Sequence, residues 1–280
     1  MMIDPIFRSF ALDFVRKPIT RLNLVYPYYM NGETLVEYQK RWLTFPADIL
    51  DKLRFIIVDD GSPKKPAASF VLDGQDLLNL DIYRIDIDKP WNNEGAQNLG
   101  SLFCVNEWIF STDMDHFLPL ESISKIFSLK PRRIEYFMFK RLKVRPGWNN
   151  LSELEPDSFL KNSLLMHWSL YWKVGGRNED FSGLYSFGWA FRDKLKIFGR
   201  PKLLDAYVVH YTGFIPDAGT STVARTTEAE RREMRKPLKE KFKKSLPENP
   251  LRFPWHKEYS AIRKMGSEAV SRASGTGGGL

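Results

Sequence analysis

Trp108-Ile109-Phe110-Ser111-Thr112-Asp113-Met114-Asp115 runs a short apolar segment directly into an acidic turn. Its compact apolar character predicts a buried strand at 108–111 with the two carboxylates at the strand's C-terminal end. Working back from there, residues 95–105 show helical spacing and 80–87 alternate as a strand. The apolar run 54–58 is stopped by Asp59-Asp60-Gly61-Ser62. Further back, 34–43 reads as a helix with Thr34 as its cap, after an apolar strand at 22–26 and a turn at Pro27, Asn31 and Gly32. Strands alternating with helices predict an α/β domain whose mostly parallel sheet is flanked by helices.

Working forward, 133–144 is strand-like, 145–158 is a polar loop, 180–198 is helical and 202–211 returns as a strand. From about Val223 the composition turns to a charged helical pattern broken by Pro237, and the chain ends in a glycine-rich run. The expected organisation is an N-terminal segment at 1–20 and a catalytic domain at 21–222. A basic helical extension at 223–264 and a disordered tail at 265–280 complete it.

At 280 residues and 43% hydrophobic, the chain can bury one full core. A net charge of +8 favours anionic partners such as nucleotides, phosphorylated acceptors, nucleic acid or an acidic membrane face. Most of the excess positive charge in the sequence lies between Arg225 and Lys264. The single cysteine, Cys104, rules out an intramolecular disulfide framework and suits a reducing compartment. Asp4, Arg8 and Asp13 interrupt the apolar N-terminus, and no run approaches the length of a membrane span, so the expectation is a soluble, cytoplasmic protein.

The chemistry is read from the loops. Two carboxylates one residue apart, Asp113 and Asp115, can both reach a hard divalent cation such as Mn2+ or Mg2+. A cation held there can bridge a diphosphate and neutralise the charge that develops as it leaves. Asp59 and Asp60 can accept from a base's imide N–H or from ribose hydroxyls, and Gly61 permits the tight turn. Asn93 and Asn98 frame a helix start one strand before the acidic turn, where an anion is favoured. Glu179 and Asp180, behind the glycine pair Gly175-Gly176, can supply a general base for a sugar hydroxyl. His210 ends an apolar strand and can complete a metal's ligand set, while His116 stands as a further candidate beside the acidic turn.

In order and spacing these segments resemble glycosyltransferase family 2, whose members have the Rossmann-like GT-A fold. Val25-Tyr26-Pro27-Tyr28-Tyr29-Met30-Asn31 looks like the family's first nucleotide-contacting motif, and Ile57-Val58-Asp59-Asp60-Gly61-Ser62 like its second. Residues 93–100 are similar to its asparagine-ended helix, and Ser111-Thr112-Asp113-Met114-Asp115 to its metal-binding motif. Val174-Gly175-Gly176-Arg177-Asn178-Glu179-Asp180-Phe181 looks like the segment that holds the catalytic base. The likeness covers roughly residues 20–215. Gln97 departs from it where many members carry an arginine.

The resemblance implies an inverting, metal-dependent transfer of a sugar from a nucleotide diphosphate to an acceptor hydroxyl. Pro27, Tyr28, Asn31, Asp59, Asp60, Asn93, Asn98 and Asp113 would bind the donor, a UDP-sugar. Asp113, Asp115 and His210 would hold the metal, and Asp180 or Glu179 would act as base. The acceptor is a glycan or a hydroxyl-bearing nucleic-acid base in DNA or RNA. A nucleotidyltransferase would need a basic glycine-rich loop after the first strand, which residues 25–33 lack. A non-catalytic nucleic-acid- or carbohydrate-binding protein is the remaining alternative.

Overall fold

The computed structural model describes residues 14–73, 77–143, 159–184, 188–211, 214–221, 227–230, 232–233, 237 and 251–263. The polar loop expected at 145–158 and the tail at 265–280 lie outside them. The chain opens with β1 (Leu22–Tyr28), α1 (Gly32–Trp42), a single turn α2 (Ala47–Leu50) and β2 (Leu53–Asp59). It continues through β3 (Leu80–Ile85), α3 (Asn93–Leu102), β4 (Trp108–Ser111), the two-residue β5 (His116–Phe117) and α4 (Leu120–Phe127). Then come β6 (Glu135–Lys143), β7 (Phe159–His167), α5 (Trp168–Lys173), α6 (Gly188–Phe198), β8 (Arg200–His210) and β9 (Trp255–Ala261).

The strands form one sheet in the order β5-β8-β6-β7-β4-β1-β2-β3-β9. Its β3-β2-β1-β4 core is parallel throughout. β7 joins β4 antiparallel and reverses again to β6, so β6 and β8 run in the same sense as the core.

Period-two burial explains why the central strands read as nearly continuous apolar runs: both faces are covered. In β1, Leu22, Leu24, Tyr26 and Tyr28 enter the core beneath α1, against Leu35, Tyr38 and Trp42. Val25 points the other way, with Ile56 and Val58, into the core beneath α3 and α5. α3 lies close on the sheet because Gly100 has no side chain; a Cβ there would meet Val25 Cγ1 at 2.5 Å. That contact fixes where the N-terminal end of α3 sits over the strand ends.

Three expectations change in detail. α1 starts at Gly32, before Thr34, and its cap comes from far along the chain. The Asp217 carboxylate accepts from the Glu33 and Thr34 amides at 2.7 and 2.9 Å and from Thr34 Oγ1 at 2.6 Å. The helix expected over 180–198 is a 3-10 turn at Glu179–Phe181 followed by α6. Gly183, at φ 100, turns the chain between them and donates to Trp91 O at 3.0 Å. Within the extension expected to be helical, residues 228–230, 232–233 and 237 are helical, but Trp255–Ala261 is β9, paired antiparallel with β3. Pro254 disfavours helix before it, and Lys257 and Ser260 both reach Asp81 at 2.6 Å, which fastens the strand to the sheet edge.

Asp217 therefore joins the start of α1 to the segment 214–221. Asp217→Ala removes three charge-assisted hydrogen bonds and leaves buried donors at a helix start, so we expect a loss of about 2–3 kcal/mol of stability. Urea unfolding of the variant checks it. No helix among the described residues is long and apolar enough to cross a membrane.

Candidate metal and nucleotide site

The parallel strands β1, β2 and β4 end at one rim, at Tyr28, Asp59 and Ser111, and β8 ends there at His210. A cavity of about 490 Å³ opens at this rim. It is lined by Pro27, Tyr28, Asn31, Asp60, Asn93, Asp113, Asp115 and His210, all expected from the sequence, and also by Tyr29, Trp91, Asn162 and the segment Ala218–Ser221. Asp59, Asn98, Glu179 and Asp180 do not line it.

The acidic turn is anchored by backbone pairing. β5 pairs antiparallel with the end of β8, setting His116 opposite His210, and the Tyr211 amide donates to Asp115 O at 2.9 Å. The two imidazoles lie 4.7 Å apart between ring centroids, with Asp115 against both. His210 Nε2 is 3.0 Å from Asp115 Oδ2, and His116 Nδ1 approaches Asp115 Oδ1 to 2.5 Å. One ligand atom from each of Asp115, His116 and His210 falls within 4.8 Å of the others. Burial works against ionisation of Asp115, but the two histidines outweigh it and hold its carboxyl well below the usual range.

His116 is 4% exposed; its Nδ1 lies against Asp115, and its Nε2 has no hydrogen-bond partner among the described residues. A buried imidazole in that state, beside a carboxylate and a second imidazole, fits a divalent ion of the manganese or zinc type. Asp113 stands outside this group. Its carboxylate accepts from Asn162 Nδ2 at 3.1 Å, and burial together with the Asp115 charge raises its pKa. Read locally, His116 carries less weight than Asp113, because the β5–β8 pairing that sets it opposite His210 joins residues far apart in the chain.

Asp60 faces the cavity from the β2 turn. Its carboxylate accepts from Asn92 Nδ2 at 3.0 Å and from the Asn92 amide at 3.2 Å. Burial pushes its pKa from 3.8 up to about 7, against those hydrogen bonds. The native chain thus holds an extra proton between these values, and its stability falls as pH rises through that window, by up to about 1.4 kcal/mol per pH unit. Asp60→Asn should flatten this slope in denaturation measured from mild acid to neutrality. Glu94, pushed up to about 8 by burial, leaves a residual slope in the variant.

Asp59 and Asn98 do structural work beneath the cavity. Asp59 accepts from the Ser62 and Ala67 amides at 2.8 and 2.9 Å and from Arg84 at 3.0 Å, which shapes the loop carrying Asp60. Asn98 donates to Arg177 O and Glu179 Oε1, both at 2.8 Å, and accepts from Tyr171 Oη at 2.7 Å and the Arg177 amide at 2.8 Å. It ties α3 to the loop that carries the two expected bases. Gln97 is buried beside it, donating to Thr112 O at 2.8 Å and accepting from Ser111 Oγ at 2.6 Å.

Those two acids differ. Glu179 is 3% exposed and accepts from Asn98 and from the Leu251 and Arg252 amides at 2.6 and 2.8 Å. It clamps the segment leading into β9. Asp180 is the more exposed of the two and pairs with the Arg252 guanidinium.

No protein-family model matches this chain, and no curated protein matches it. Solved structures do. S. aureus TarS in complex with UDP-GlcNAc is similar with a TM-score of 0.56 and 14% identity, over 76% of this chain and 64% of that one. GalNAc-T7 with UDP, GalNAc and Mn2+ gives 0.51 and 10%, over 69% of this chain and 44% of that one. The mannosyltransferase PcManGT from Pyrobaculum calidifontis, with GDP-Man and Mn2+, gives 0.50 and 15%, over 73% and 62%. At such identities the likeness is one of fold, and the fold is GT-A. The chain spans less than two thirds of the length of each of these proteins.

Proposed function

We propose that this chain is a metal-dependent glycosyltransferase that moves a sugar from a nucleoside diphosphate, of the UDP type, to an acceptor hydroxyl with inversion. The observation that carries the reading is one cavity at the strand ends lined by Asp60, Asn93, Asp113, Asp115 and His210, with the buried His116 grouped against the last two. The GT-A fold supports it, as do the nucleotide sugars and Mn2+ held by proteins that share that fold.

In this reading Pro27, Tyr28 and Asn31 form the wall against the base, and Asp60 accepts from its N–H or from ribose hydroxyls. Asn93, at the start of α3, faces the diphosphate with the helix's positive end behind it. Asp115, His116 and His210 would hold a divalent ion, whose charge would offset that of the departing diphosphate. Asp113 contacts ribose or sugar hydroxyls. Asp180, oriented by Arg252, takes the acceptor's proton as the oxygen attacks the anomeric carbon on the side opposite the leaving diphosphate. Much of the acceleration comes from holding the two reactants in line and from fixed charge at the departing group. The acceptor is a glycan or a hydroxyl-bearing nucleic-acid base.

Calorimetric titration with UDP and Mn2+ tests the reading. The pair should bind far better together than either does alone. Equal affinities with and without the metal would reject it. Nucleotide sugars can then be screened for release of free nucleoside diphosphate, and mass spectrometry of candidate acceptors identifies the product.

A further inference from the structure

We propose that the end of the sheet opposite the cavity is a docking surface for an anionic membrane. β1, β4, β6 and β8 all begin at that end, immediately after or at Arg21, Glu107, Ile134 and Arg200. The segment before β1 is strapped to the turn before β6: the Lys17 amide donates to Pro131 O at 3.3 Å and Arg16 Nη1 to Lys130 O at 3.0 Å. Arg200 is held beside the same turn, its amide donating to Ile134 O at 2.7 Å. Three stretches far apart in sequence thereby bring Arg16, Lys17, Arg21, Lys130, Arg132, Arg133 and Arg200 to one face. Glu135 and Glu107 offset part of this charge, 3.6 Å from Arg16 and 3.7 Å from Arg21.

Two further features choose between anionic partners. Phe14 is 52% exposed and Val15 45%, and the Arg200 guanidinium lies 6.0 Å from the Phe14 ring. Ile197, three residues before Arg200, is 75% exposed. Large apolar side chains standing among cations match the interface of a bilayer, where the cations meet headgroups and the apolar groups enter the acyl boundary. A nucleic-acid phosphate backbone would use the cations and gain little from Phe14, Val15 and Ile197. A recess of about 170 Å³, lined by Lys17, Arg21 and Arg133 and on one side by Glu107, offers room for a single headgroup phosphate held on the cations. Docked in this way, the cavity at the opposite rim would open away from the bilayer toward water.

This inference is independent of the proposed transfer reaction. Its test is co-sedimentation of the protein with phosphatidylcholine vesicles, with and without about a third phosphatidylserine, at low and physiological salt. We expect binding to the anionic vesicles, weakened by salt, and little to the neutral ones. Each cation near such a surface is worth about fivefold, so Lys17→Gln, Lys130→Gln and Arg133→Gln combined should weaken binding by about 100-fold. Phe14→Ser should weaken it by about tenfold through lost apolar insertion. None of these side chains belongs to the cavity, so UDP and Mn2+ titration and the unfolding midpoint serve as controls for an intact fold. Failure to bind anionic vesicles overturns the proposal, as does equal binding to both vesicle types. RNA-duplex binding that depends on the three cations and ignores Phe14→Ser, without vesicle binding, assigns the surface to nucleic acid instead.

Discussion

Asp115→Asn should remove metal-dependent binding of a nucleoside diphosphate, weakening it by about 100-fold or more, while leaving the fold in place. Asp115 lies against both imidazoles. Loss of groups that merely support a metal ligand costs roughly 10–100-fold in affinity, so loss of the ligand itself should cost at least the upper figure. The change is isosteric, and Asp115 O still accepts from the Tyr211 amide, so the turn keeps its backbone anchor. His116→Gln and His210→Gln should each weaken metal binding in the same direction. Asp113→Asn should reduce nucleotide affinity far less, because Asp113 stands apart from the three and is held by Asn162. Calorimetry of Mn2+ with and without UDP separates these outcomes. A larger loss at Asp113 than at Asp115 would reverse the ligand assignment.

The second large effect falls at Asp180. Asp180→Asn should leave UDP and Mn2+ affinity within about twofold of wild type and lower the rate of transfer by about 1,000-fold, the middle of the range for a lost general base. Asp180 does not line the nucleotide cavity, which is why donor binding survives. Glu179→Gln makes the contrast. Glu179 accepts hydrogen bonds from Asn98, Leu251 and Arg252, so replacing one carboxylate oxygen with an amide sets a donor against a donor. Its effect should appear first as a lower unfolding midpoint. Single-turnover transfer and thermal unfolding, measured on both variants, distinguish a base from a clamp. Full activity in Asp180→Asn would require another group to take the proton.

The sheet core was legible in the sequence because its strands are buried on both faces. Runs such as 54–58 and 108–110 are apolar without interruption and stop at turn residues, so both their position and their direction toward the rim could be read. The acidic turn, Asp60 and Asn93 followed from that direction. What escaped was long-range pairing. β5 is two residues long, too short to leave a periodic signal, yet it sets His116 opposite His210. Local chemistry points to Thr34 as the α1 cap, whereas Asp217 caps the helix from 183 residues away. Their places in the turn after 54–58 and at the helix mouth point to Asp59 and Asn98 as ligand contacts. The structure gives their polar atoms to loop amides and to neighbouring side chains, which place Asp60 and the 177–180 loop. Likewise the sequence located the positive charge in the 225–264 stretch, and only the fold gathers Arg16, Arg21, Lys130 and Arg200 at one end of the sheet.

Pulsed electron paramagnetic resonance of Mn2+ bound together with UDP bears most directly on the site as a whole. The arrangement of Asp115, His116 and His210 at the nucleotide cavity predicts phosphorus coupling from the diphosphate and nitrogen coupling from two imidazoles on the same ion. The nitrogen signal should diminish in His116→Gln and again when His210→Gln is added. Phosphorus coupling without any nitrogen coupling, or nitrogen coupling unchanged in both variants, would contradict it.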